Sequence, residues 1–86
     1  MEIAEVEVVR SGGFAAVRRR KRTEGDALGA AERQALAELV RGGTPPPAPG
    51  ADRFTYSVIL RLKDGAERRV ELPETAVPPA LRGLLP

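Results

Sequence analysis

From Phe54 to Leu62 the chain alternates two kinds of side chain. Phe54, Tyr56, Val58, Leu60 and Leu62 fall on one parity; Thr55, Ser57, Ile59 and Arg61 fall on the other. A period of two sends the two sets to opposite faces of a β-strand. Asp64-Gly65 follows, a dipeptide suited to a tight hairpin turn. Arg68, Val70 and Leu72 then alternate with Glu67, Arg69 and Glu71, and Pro73, which cannot donate to a ladder, ends the run. The segment 54–72 therefore reads as a hairpin with one apolar face, and that face needs a second layer.

The rest of the chain supplies one. Ala4, Val6 and Val8 alternate with Ile3, Glu5, Glu7 and Val9, which predicts a first strand. Ser11-Gly12-Gly13 marks a turn, and Phe14 to Lys21 is expected to return as a second strand. Thr23 to Gly29 reads as a linker. A helix is expected over 30–41, with Gly29 as N-cap, Glu32 in its first turn and Gly42-Gly43 as its stop. Ala35, Leu36, Leu39 and Val40 form its apolar stripe, with Leu28 just ahead. Three prolines at 45–47 and Pro49-Gly50 make 44–52 a stiff crossover. Pro78-Pro79 starts a short last helix over 79–85 that carries Leu81, Leu84 and Leu85. The expected fold is α+β. A four-stranded antiparallel sheet, in the order β-β-α-β-β-α, has one main helix packed on one face and a short C-terminal helix. A chain of 86 residues forms a single domain, 1–86, with hairpins at 3–21 and 54–72.

Composition narrows the chemistry. There is no Cys and no His. Disulfides, thiolate nucleophiles, imidazole bases and the commonest zinc ligands are therefore excluded. No cofactor, metal site or catalytic residue is expected, and the chain is expected not to be an enzyme. The acidic start, Met1-Glu2-Ile3-Ala4-Glu5, does not resemble a signal peptide. No stretch approaches the roughly 20 apolar residues of a membrane span. A cytoplasmic, monomeric protein with no membrane partner is the expectation.

Arg18-Arg19-Arg20-Lys21-Arg22 is the densest charge run. It can be a solvated strand edge, a patch for an acidic protein or a phosphate-binding stripe. The net charge is only +2, and the aromatics are Phe14, Phe54 and Tyr56. Two of these fall on the core face of the third strand, so specific nucleic-acid binding is not expected. Glu5 and Glu7 share a strand face and are expected to pair across strands with Arg18, Arg19 or Arg20. Phe14, directly after Gly12-Gly13, either folds into the core or forms a binding tip.

Taken in order, these motifs resemble the emfourin-type inhibitors of thermolysin-like metallopeptidases, proteins of bacterial type. The family's Arg-Ser-Gly-Gly-Phe-Ala-Gly motif is matched by Arg10-Ser11-Gly12-Gly13-Phe14-Ala15-Ala16, with Ala16 where the family has Gly. The basic segment, the Leu-rich helix, Asp52-Arg53-Phe54-Thr55-Tyr56 and Pro78-Pro79-Ala80-Leu81-Arg82-Gly83-Leu84 follow in the family's order. The resemblance implies a peptidase inhibitor that occludes the active-site cleft with a rigid surface, the first hairpin being the candidate element. It also implies that Ser11, Gly12, Gly13, Phe14, Ala15, Arg18 and Arg20 touch the partner, an enzyme whose zinc is held by two His and one Glu. An adaptor or nucleic-acid-associated domain using the run 18–22 is the alternative.

Overall fold

A computed structural model describes residues 2–12, 18–42 and 54–86. Among them four strands form one antiparallel sheet: β1 (Ile3–Ser11), β2 (Arg19–Glu24), β3 (Thr55–Leu62) and β4 (Glu67–Pro73). The spatial order is β2-β1-β3-β4, so β1 and β3 are central and antiparallel to each other. The helix α1 (Ala30–Gly42) and a 3-10 turn over Pro79–Leu84 pack on one side of this sheet. The fold is α+β, as the order of elements predicts. The proline-rich crossover lies outside the described residues.

Three rows of side chains, read across β2, β1, β3 and β4, make the covered face. They are Thr23, Val6, Leu60 and Arg68; Lys21, Val8, Val58 and Val70; and Arg19, Arg10, Tyr56 and Leu72. Val6, Val8, Tyr56, Val58, Leu60, Val70 and Leu72 are buried, with Leu36 of α1 fully enclosed above them. Ile3 departs from the simple alternation, which put it on the face of Glu5 and Glu7. The register between β1 and β3 shifts between Ile3 and Glu5, and this irregularity turns Ile3 into the core, where it is 1% exposed.

The second strand also differs from the expectation. It runs through Thr23 and Glu24, into the segment read as linker, and pairs Glu5 with Glu24 and Arg10 with Arg19. Five cations in succession hide any alternation of polarity. The position of β2 is set by its ladder with β1, not by a pattern of its own.

Local chemistry fixes the connections. Glu32 Oε1 accepts the Gly29 N–H at 2.8 Å, and Arg33 N donates to the Gly29 carbonyl at 3.0 Å, which starts α1. Arg33 reaches back to the carbonyls of Gly25 and Leu28, at 2.7 and 3.3 Å, and pins the turn before the helix. Between β3 and β4, Asp64 Oδ1 accepts the Ala66 N–H at 2.8 Å in an Asx turn, with Gly65 at φ +93°. The C-terminal segment is 3-10 rather than α-helical, so residues three apart eclipse. Leu81 and Leu84 thereby enter the core together, 2% and 4% exposed.

Gly25 sits where β2 hands over to the turn before α1 and is buried against β1. A Cβ at this position lies 1.8 Å from the carbonyl oxygen of Ile3, a backbone atom that cannot swing aside. Gly25→Ala should therefore cost about 3 kcal/mol of unfolding free energy, the upper end of what overpacking exacts. A urea melt reads it, and an unchanged midpoint contradicts this packing.

Candidate protein-binding surface

The other sheet face carries polar rows. Across β2, β1, β3 and β4 they read Glu24, Glu5, Arg61 and Glu67; Arg22, Glu7, Ile59 and Arg69; Arg20, Val9, Ser57 and Glu71. Glu5 directly faces Glu24, a repulsive neighbour, and is held instead by Arg22 on the diagonal. Arg61 reaches Glu5 from the other side at 3.3 Å. Glu7, 8% exposed, lies 3.7 Å from Arg20 and 4.0 Å from Arg22. Of the expected pairings, Glu7 with Arg20 is present. Glu5 is served by Arg22 because the hairpin register runs past Lys21.

These contacts have a pH signature. The Glu5 carboxyl lies below its ordinary value of 4.5, first because Arg22 hydrogen-bonds the charged form, against a smaller opposing effect of burial, and then because Arg61 does the same. Arg22 is pushed up by the same bond.

The candidate site residues are distributed unevenly. Ser11, half-buried, ends β1, and Gly12 beyond it is exposed with φ +113°. Only glycine adopts that conformation without strain, so the chain leaves β1 on a left-handed step. Gly13, Phe14 and Ala15 lie outside the described residues. The chain re-enters at Arg18, exposed, and Arg20 follows in β2. Ser11, Arg18 and Arg20 are brought together. They line one shallow depression of about 170 Å³ on the polar face, floored by Val9, Ser57 and Ile59. Arg69, from the opposite edge strand, completes its rim. Val9, Ser57, Ile59 and Arg69 did not stand out in the sequence, since only the strand order places them beside the first hairpin.

The basic run is split by the strand. Arg20 and Arg22 face the glutamates of β1, whereas Arg19 and Lys21 project to the helix side. Lys21 Nζ donates to the Gly83 carbonyl at 2.8 Å and ties β2 to the C-terminal turn. Among the described residues no three His, Cys, Asp or Glu cluster as metal ligands. No helix among them is long and apolar enough to cross a membrane. What the arrangement offers is a sheet braced by ion pairs whose first strand ends on a left-handed glycine, with Arg18 and Arg20 beside it.

The sequence profile of the Emfourin family matches residues 8–86, from the middle of β1 through the C-terminal turn. No curated protein and no solved structure matches the chain significantly.

Glu5, with its folded value depressed, contributes stability that is present above the unfolded glutamate value. That contribution is lost as pH falls through the folded value. The melting temperature should therefore drop on acidification from about pH 5 downward, and Glu5→Gln should flatten this part of the curve while lowering stability at neutral pH. Parallel acid profiles of the two proteins would contradict the assignment.

Proposed function

The chain belongs to the Emfourin family of protein inhibitors of metallopeptidases, and from that membership we propose that it inhibits a thermolysin-like zinc peptidase by blocking the active-site cleft with the end of its first hairpin. The match over residues 8–86 carries this reading. The described geometry is compatible with it. Gly12, with no Cβ and at φ +113°, lets the backbone at the end of β1 come close to another protein. β1 is hydrogen-bonded on both sides, so the hairpin rests on a pre-ordered base and little freedom is lost on binding. The chain exposes 5529 Å². A standard interface takes about 800 Å² from each partner, so one such contact uses roughly a seventh of that surface. Inhibition by occlusion asks for no metal ligand from the inhibitor. We propose further that it acts as a monomer in the cytoplasm.

The nucleic-acid alternative draws less support than the raw sequence offered. Arg20, Lys21 and Arg22 are engaged within the fold, and Tyr56 is buried rather than free to stack on a base.

The test is hydrolysis of a small peptide substrate by a thermolysin-like peptidase, preferably from the source organism, with increasing amounts of the protein. Reversible inhibition at or below micromolar concentration is expected, with no effect on serine peptidases. Phe14 is the side chain to remove. If it anchors the complex, Phe14→Ala should weaken inhibition by about 2 kcal/mol or more while stability changes by less than about 1 kcal/mol. A loss of about 3–5 kcal/mol in stability, with inhibition retained by the folded fraction, assigns Phe14 to the core and removes it from the proposed interface.

A further inference from the structure

The two ends of the first hairpin are balanced differently. At the end near Glu5, every arginine that faces β1 on the polar side meets a carboxylate: Arg22 meets Glu5 and Glu7, and Arg61 meets Glu5 and Glu67. At the Gly12 end, on the helix side of the sheet, Arg10 and Arg19 sit directly opposite one another in the ladder, a like-charged pair that works against the strand pairing it occupies. No carboxylate of the described residues lies within ion-pair distance of Arg10, Arg18 or Arg19. Arg10 is held nonetheless. Its guanidinium lies over the Phe54 ring, 4.4 Å from the centroid, and its Nε is enclosed with no acceptor among the described residues. A neutral residue at either position would suit the sheet better. A charge fixed in place at a position that repels its ladder neighbour, as Arg10 is, marks a place where function opposes stability.

We propose that Arg10 and Arg19 form a carboxylate-docking patch on the helix side of the sheet, at its Gly12 end, through which this chain meets an acidic segment of its protein partner. The stacked Arg10 offers a planar fork in a fixed plane, suited to bidentate capture of a carboxylate through its terminal nitrogens. Arg19 supplies the second charge across the ladder. An incoming carboxylate turns the repulsive pair into a bridged one, so the patch is stabilised by its ligand. Arg18 and Arg20, although adjacent in sequence, project to the polar face, where Arg20 lies 3.7 Å from Glu7, and stand outside the patch. A protein carboxylate is favoured over a nucleic-acid phosphate because the patch is short and Phe54, its aromatic neighbour, already lies under Arg10. That the partner is a metallopeptidase rests on the reading above; the patch itself does not.

The full chain is titrated with hexaglutamate, and in parallel with hexaglutamine and an oligothymidylate, while the arginine Nε–Hε resonances are followed by NMR. Hexaglutamate should shift Arg10 and Arg19 and leave Arg68 and Arg82 in place; hexaglutamine should shift none of them. Arg19→Gln should weaken hexaglutamate binding about threefold or more while its melting temperature holds or rises, because the like-charged pair is gone. In the peptidase assay, Arg19→Gln should slow association by a similar factor and flatten its salt dependence, with dissociation little changed. Shifts spread evenly over all exposed arginines, a stronger response to the oligonucleotide, or a melting temperature several degrees lower in Arg19→Gln would each overturn the patch. If wild type inhibits and Arg19→Gln associates just as fast with the same salt dependence, the patch falls and the inhibitor reading stands. If hexaglutamate binds as described while no peptidase is slowed, the inhibitor reading falls and the patch stands.

Discussion

β1 is laid between β2 and β3 and hydrogen-bonded to both, and nearly everything else in the molecule depends on that placement. The strand carries Val6 and Val8 on one parity and Glu5 and Glu7 on the other. A slip of one residue against either neighbour would exchange the two sets and drive two carboxylates into the apolar layer under Leu36. The register is thus enforced by burial from one side and by arginines from the other. The irregularity between Ile3 and Glu5 adds one more apolar side chain to the buried set without disturbing the parity farther along.

The sheet's two faces divide the work. One is closed by α1 and by the turn carrying Leu81 and Leu84, and its burial supplies the stability of a small domain. The other is laced by Glu5, Glu7 and the arginines that flank them. Exposed ion pairs of this kind contribute little each, so their effect lies more in keeping the edge strands aligned than in raw stability. Along the length of β1 the charges run from balanced, near Glu5 on this face, to like-charged near Gly12, where Arg10 and Arg19 oppose each other on the helix side. The structure therefore has a direction: an end that is internally satisfied and an end that is not.

Legibility in the sequence followed the contrast between neighbouring residues. The hairpin over 54–72 was legible because apolar residues recur there at every second position between mostly polar ones, and α1 was legible because Leu36, Leu39 and Val40 fall on one stripe behind a glycine cap. β2 was only half legible. Arg18 through Arg22 carry no contrast, so neither the strand's limits nor the side of each arginine can be read without the ladder to β1. The same holds for the candidate surface. Ser11, Gly12, Arg18 and Arg20 were accessible as a local motif. Arg69 and Ile59 reach it only through a strand order in which β3, distant in sequence, lies beside β1. Arg10 was visible within the motif, but its stacking on Phe54 is a tertiary fact. The C-terminal leucines were expected to be apolar partners, and the 3-10 geometry that aligns them is the part the spacing alone left undetermined.

The bond from Lys21 to the Gly83 carbonyl, and the burial of Leu81 and Leu84, join nearly opposite ends of the chain. A nascent chain carrying β1 and β2 holds a half-formed sheet whose central strand has one open edge until β3 arrives, and whose core has no floor until residue 84 has been made. Folding of this domain is consequently a late event in synthesis, governed by contacts of long sequence separation rather than by the early hairpin. The strand ends that carry Ser11, Gly12 and Arg18 are therefore brought together only once β3 and the C-terminal turn have joined the sheet, and an incomplete translation product would present the motif without the scaffold that aims it.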